Sequence, residues 1–139
     1  RTHGGSDSIR RASSKRRRRR RAMKAVIIDP VAYQRRILAR ILEASGHEAI
    51  EERAEIGDAL VSTSADDLLF IEAALLEDPA VELDRVAALI IVTGAERDEA
   101  EIASQLRRGA HAFLSKPYTA EGLKAALADG RALRGDPSS

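Results

Sequence analysis

The sequence predicts an α/β domain: one five-stranded parallel sheet, doubly wound, with helices on both faces. Three observations predict it. Short apolar, β-branched runs recur along the chain, and segments of helical period separate them. The hydrophobic content, 44% of the residues, is almost entirely aliphatic, because aromatic residues make up only 3%. Strands that alternate with helices pair in parallel, since each helix carries the chain back to the same end of the sheet.

The first strand signal is MKAVII, ending at Ile28. DPVAYQRRILARILEASG then reads as a helix, with Asp29 as N-cap, Pro30 at the first helical position and Gly46 as the stop. Val31, Ile37, Leu38, Ile41 and Leu42 fall near one face of it, and Arg35, Arg36 and Arg40 fall largely on the other. HEAIEE is a weak second strand, EIGDALVSTSA a short helix, and DLLFI a compact third strand. Between Glu72 and Val86, DPAVELDRV suggests one short helix after a loop. AALIIVT is the clearest buried strand in the chain. AERDEAEIASQLRRG reads as a helix with acids early and Arg107 and Arg108 in its last turn, which suits the helix dipole. HAFLS is the fifth strand, and TAEGLKAALADGRAL is a closing helix capped by Thr119.

At 139 residues the chain has room for one domain with a core and little else. The absence of cysteine excludes disulfides, zinc–thiolate sites and thiol catalysis. No apolar run is long enough to span a bilayer, and a cytoplasmic protein is the expectation. The net charge of +1 conceals two blocks. Residues 1–22 hold ten bases against one acid, a net +9, and the remainder holds thirteen bases and twenty-one acids, a net −8. The first block has almost nothing to bury, so a disordered basic arm over 1–22 is expected, followed by a folded domain over 23–134 and a disordered tail over 135–139. Met23 stands at the foot of the first strand, so residues 1–22 are either a native arm or sequence lying upstream of a start at Met23.

The segments VIIDP…RRIL, DLLFIE, LIIVTG and RRGAHAFLSKPY, in this order and rough spacing, resemble a response-regulator receiver domain over about residues 24–133. The most specific of them is GAHAFLSKPY after an apolar strand ending in Thr. The resemblance implies a flavodoxin-like fold with its site at the carboxyl ends of the strands. In that family two adjacent acids after the first strand and an Asp after the third bind Mg²⁺, and the last of these accepts a phosphoryl group from a histidine kinase. A hydroxyl after the fourth strand and a Lys after the fifth hold the phosphoryl oxygens.

The match to that set is partial. Asp29 aligns with the first acid, but Pro30 replaces the second, and Glu72 falls where the acceptor Asp belongs. Thr93 and Lys116 align with the hydroxyl and the lysine, and Phe113 with an aromatic switch position. The stretch between Glu72 and Thr93 is also short, which implies a remodelled connection after the third strand. By resemblance, the Lys116–Pro117 bond is cis.

Each position has a plainer reading beside the functional one. Asp29 serves equally as a cap, Thr93 as a β-branched strand end, and Phe113 as core. Glu72 carries its carboxylate about 1.5 Å beyond an Asp carboxylate, and in-line phosphoryl transfer does not tolerate a displacement of about that size. It either supplies a fixed negative charge facing Lys116, in partial imitation of a phosphorylated state, or forms an inert ion pair. The degenerate pocket of Asp29, Pro30, Glu72, Thr93 and Lys116 therefore predicts weak or absent Mg²⁺ binding, no other cofactor and no enzymatic activity. His3, His47 and His111 have no ligand-like spacing, so no metal site is assigned.

The expected function is a phosphorylation-independent pseudo-receiver, a protein–protein interaction module in bacterial signal transduction. Its docking face is formed by Arg107, Arg108, Phe113 and Tyr118, and its partners are a histidine kinase, an output or scaffold protein, or a second copy in a homodimer. The alternative is a receiver-like effector that binds a cyclic dinucleotide or nucleic acid through arginine-rich segments. Arg16, Arg17, Arg18, Arg19, Arg20 and Arg21 would bind polyanions with steep salt dependence, or would form a solvated tail. No aromatics interleave them, which argues against base stacking. RRAS around Ser13 resembles a basophilic kinase site, a pattern common by chance.

Overall fold

The computed structural model describes residues 23–95 and 98–136. The arm with Arg16–Arg21 lies outside the described residues, as do positions 137–139. The strands are β1 (Ala25–Ile28), β2 (Ile50–Arg53), β3 (Leu68–Glu72), β4 (Leu89–Gly94) and β5 (Ala112–Ser115). They form one sheet in the order β2-β1-β3-β4-β5, and every pairing is parallel. The helices are α1 (Ala32–Ala44), α2 (Ala59–Ser62), α3 (Glu99–Arg107) and α4 (Ala120–Arg134). This is the doubly wound flavodoxin-like arrangement.

Strand periodicity divides the core into two layers. Alternate residues of β1, β3 and β4 point to opposite faces, so Ala25, Ile27, Phe70, Leu89 and Ile91 join Leu38, Leu42 and Leu123 under α1 and α4. Val26, Ile28, Leu69, Ile71, Ile90 and Val92 form the other layer, with Ala59, Leu76, Leu83 and Leu106 packed on it. The three central strands are buried on both sides, which is why they read as unbroken apolar runs. Phe70, the one large aromatic at the centre, is fully buried. Strand β2 lies at the edge and is the charged one, IEER, with Glu51 and Glu52 held by Lys24, Arg35, Arg36 and Arg53.

Helix ends follow local chemistry in two cases. Asp98 accepts the Glu101 amide at the start of α3, and Thr119 accepts the Gly122 amide at the start of α4. The start of α1 departs from expectation. Asp29 is not its cap and Pro30 is not its first residue. The N-cap is Val31, whose amide donates to Asp29 Oδ1 at 2.8 Å, so Asp29–Val31 is a turn ahead of the helix. Val31 is consequently half-exposed rather than on the buried stripe. At the other end of the chain, Gly135 caps α4 in the left-handed conformation (φ 82°) and Asp136 pairs with Arg134, so these two residues finish the domain instead of opening a tail.

The connection after β3 is the larger departure. No α-helix forms between Glu72 and Val86; a 3-10 turn over Ala73–Glu77 follows β3 directly, and irregular chain runs on to β4. Arg108 holds this segment from the end of α3. Its guanidinium donates to the carbonyl of Leu76 and, at 2.8 Å, to that of Val81. Gly109 lets the chain pass beside it with φ +120°, since a Cβ there would lie 2.8 Å from the Asp84 nitrogen.

At the amino ends of the strands, His111 is joined to Ile90 twice. Its amide donates to the Ile90 carbonyl at 2.8 Å, and its Nδ1 accepts the Ile90 amide at 2.9 Å, which requires a neutral ring. Burial lowers the His111 pKa, the Arg134 guanidinium lowers it further, and Asp136 opposes both; burial and then Arg131 lower that of His47. Unfolded histidines take up a proton near 6.5, whereas the folded pair resists it. Stability is therefore fully present above about pH 6.5 and declines as the pH falls below it. Thermal unfolding from about pH 7.5 to 5.5 should show a falling midpoint, and replacing both histidines by Gln should flatten that slope.

Candidate functional site

The parallel register brings the carboxyl ends of β1, β3, β4 and β5 to one rim, where Asp29, Glu72, Thr93 and Lys116 meet. Glu72 is in register with Thr93, and the two side chains approach to 3.5 Å. Lys116 lies just past β5, where its amide donates to the Gly94 carbonyl at 2.7 Å and the bond to Pro117 is cis. Its ammonium stands between the two carboxylates, 3.1 Å from Asp29 Oδ2 and 3.2 Å from Glu72 Oε2. Asp29 is 1% exposed, so its charge is held by protein groups alone: the Val31 amide on one oxygen and Lys116 on the other.

Burial by itself pulls the Lys116 pKa down. The hydrogen bond to Asp29 and the neighbouring charges of Tyr118, Glu72 and Asp29 outweigh it, and the net position is above the ordinary lysine value. Lys116 is thus a fixed cation. Tyr118 is also drawn in. Burial raises its pKa, while its hydrogen bond with Thr93 and the Lys116 charge pull the other way. Thr93, Glu72, Lys116 and Asp29 form one continuous polar chain across the strand ends.

The residues assigned to a docking face separate. Arg107 is exposed at the end of α3. Tyr118 is buried in the α1–α4 layer, and Arg108 spends its donors on the Leu76 and Val81 carbonyls, so neither is presented outward. Phe113 is half-buried against the α3 layer, close to Gly94. Pro30 is exposed at the rim and brings no ligand to it.

Two further residues shape the site and escaped sequence reading. Arg35 donates to the Asp29 carbonyl at 2.6 Å and lies 3.5 Å from Glu52, which ties α1 to the rim and to β2. Gly94 contributes its carbonyl, which accepts from the Lys116 amide; a Cβ there would meet Glu72 Oε2 and the Phe113 ring at 3.7 Å, an ordinary contact distance. The LIIVTG segment carries the signal for Gly94, whereas nothing in the local sequence distinguishes Arg35 from Arg36.

Among the described residues, no group of three or more His, Cys, Asp or Glu side chains is placed to hold a metal ion, and no helix is long and apolar enough to cross a membrane.

Solved structures share this architecture. The first receiver domain of ShkA, in its complex with c-di-GMP, is 26% identical at a TM-score of 0.64, over 77% of this chain and 91% of that one. Full-length ShkA in complex with AMPPNP is 25% identical at 0.64, over 84% of this chain and 24% of that one. A two-component response regulator from Clostridium difficile is 21% identical at 0.63, over 84% and 99% of the two chains. No protein-family model and no curated protein sequence matches the chain. The fold is that of a response-regulator receiver domain.

Lys116 satisfies two buried or half-buried carboxylates, so its removal leaves both without their cation. Lys116→Met should cost about 3 kcal/mol of stability in denaturant unfolding. Adding Glu72→Gln to that variant should recover part of the loss, because one of the two like charges is then gone.

Proposed function

We propose that this chain is a pseudo-receiver: a module of two-component signalling that works through protein–protein contacts and does not accept a phosphoryl group. The observation that carries this reading is the Lys116 ammonium seated between Asp29 and Glu72. A divalent cation in a receiver is held by several carboxylates, and here the donor set does not fit one. Pro30 has no ligand to give, and the two acids that remain already share a monovalent cation supplied by the chain. The chemistry fails on the acceptor side as well. Glu72 is directed at Lys116 and Thr93, the groups that would hold phosphoryl oxygens, so its own carboxylate stands where those oxygens would lie.

In this reading Glu72 acts as a built-in anion. It carries one negative charge where an acyl phosphate approaches two, and it engages the same hydroxyl and ammonium. The rim is thereby held in one arrangement irrespective of a kinase. Partners of the class expected for receivers, a histidine kinase or an output or scaffold protein, would recognise that fixed arrangement, with Arg107 and the half-buried Phe113 on the neighbouring surface. The module itself carries out no reaction.

Incubation with a small phosphodonor and Mg²⁺, followed by intact mass and acid-stability analysis, tests this. No phosphoryl adduct is expected on the chain or on Glu72→Asp, because the variant still has Pro30 in place of the second acid. An acyl phosphate on either protein would sink the proposal.

One observation favours a second reading. The 26% identical receiver domain of ShkA was solved with c-di-GMP, and this chain carries the arginine run Arg16–Arg21. Arginine can fork onto phosphate and stack on guanine. Calorimetric titration of c-di-GMP into the full chain and into a form beginning at Met23 separates the possibilities. Binding that disappears with the truncation assigns the ligand to the arm, and binding that survives excludes the arm as determinant.

A further inference from the structure

At the end of the sheet away from the rim, β4 starts ahead of its neighbour. Its pairing with β5 begins at Ile91, opposite Ala112, because the chain enters β5 only after the turn at Gly109, where φ is +120°. Ile90 precedes that pairing and is fully buried. Its amide is accepted by a side chain, the His111 ring, at Nδ1 and 2.9 Å. The ring thus stands in for a strand carbonyl, and a buried amide deprived of its acceptor is costly.

Nδ1 accepts only while it is bare, so the bond belongs to the neutral ring with its proton on Nε2. The next proton must go to Nδ1, which then becomes a donor facing the Ile90 amide, and the two repel. Helix α4 rests on the same residue. A Cβ on Gly130 would lie 3.5 Å from the His111 Cβ and 3.4 Å from Leu89 Cδ1, so glycine there lets the helix close over both. The last turn of α4 is tied down by Arg134, whose guanidinium donates to the Ala65 and Ala87 carbonyls and pairs with both oxygens of Asp136. The charges that act on the ring among the described residues are those of Arg134 and Asp136. A protonated ring is repelled by the first and competes with it for the second, and both effects loosen the turn that covers Leu89.

We propose that His111 is an acid-sensitive latch: its neutral ring holds the last turn of α4 against the start of β4 and β5, and its protonated ring releases that turn and uncovers Leu89 and the Ile90 amide. The open form takes up its proton near the ordinary histidine value of 6.5. The closed form resists it, because burial and the Arg134 charge both oppose a second charge there. The latch is therefore shut above about pH 6.5, and its open fraction grows as the pH falls below that, by up to about tenfold per unit for one proton. His47 faces Arg131 and takes no part in the bond to Ile90. The rim of Asp29, Glu72, Thr93 and Lys116 lies at the opposite ends of the strands, so the latch acts on the base of the domain and leaves the rim in place.

Two NMR measurements on the full chain test this. Long-range nitrogen–proton correlation of the imidazoles at about pH 7.5 should show His111 with a bare Nδ1 and a proton on Nε2. Hydrogen exchange between about pH 7.5 and 5.5, corrected for the intrinsic pH dependence of the chemistry, should then show the protection of Ile90 falling severalfold relative to Phe70 at the sheet centre and Lys116 at the rim. His111→Asn keeps an acceptor oxygen where Nδ1 stood and cannot titrate, so the fall should disappear in that variant; in His47→Gln it should persist. A proton on Nδ1 at about pH 7.5 would overturn the proposal. So would an Ile90 protection that does not change, that falls only in step with Phe70 and Lys116, or that still falls in His111→Asn. Loss of the effect in His47→Gln would overturn it as well, since the sensor would then be the other ring.

Discussion

Parallel pairing of β1 and β3 places the acid that follows one strand beside the acid that ends the other, and two carboxylates so placed repel unless a cation joins them. Here the cation comes from the protein. Lys116 reaches the shared point from the far side of β4, and its approach fixes much of what surrounds it. Asp29 is turned by the Val31 amide to offer one oxygen. Gly94 lends its carbonyl to the lysine backbone, and the Thr93 hydroxyl faces Glu72. The rim is a closed set of complementary groups, so a change in any member is felt by the others. That closure separates this site from one built to receive and release a charge: the counter-ion is covalently part of the chain and cannot leave.

Much of the architecture was legible because it depends on local chemistry. The β-branched runs AVII, LLFI and LIIV could be buried strands and little else, and Thr119 begins a helix for the same reason wherever it stands before a helical stretch. The failures share a physical cause as well. Asp29–Pro30 has the signature of a capped helix, yet the same Asp oxygen can close a turn onto Val31, and the sequence does not say which amide it will take. After Glu72, DPAVELDRV suggests one short helix following a loop, and the structure has none there. The contact that holds the irregular segment comes from far along the chain: Arg108 donates to the Leu76 and Val81 carbonyls, a pairing that no local pattern announces. In the site, the residue types at the rim were readable, but the inward turn of Tyr118 and the part played by Arg35 depend on neighbours that meet only after folding.

The two faces of the sheet are unequal in construction. On one, α1 and α4 cover the core with long regular helices. On the other, a four-residue helix, a 3-10 turn and α3 share the work, and a single arginine supplies the cohesion that a further helix would have given. The irregular connection also carries Glu77, Glu82 and Asp84, which enter no ion pair among the described residues. A chain that shortens one connection thus loses regular backbone pairing and gains a surface whose polar groups look outward for partners.

The charged edge strand has a separate consequence. A sheet with a bare outer strand exposes a row of amides and carbonyls that a second molecule could extend, and such growth has no natural limit. In β2 the outward row is interrupted by glutamates and an arginine, each already paired with an opposite charge of the same chain. An incoming strand would have to break those pairs and bury their charges. The edge therefore guards against stacking into fibrils, and it leaves the helical faces as the surfaces through which copies or partners can meet.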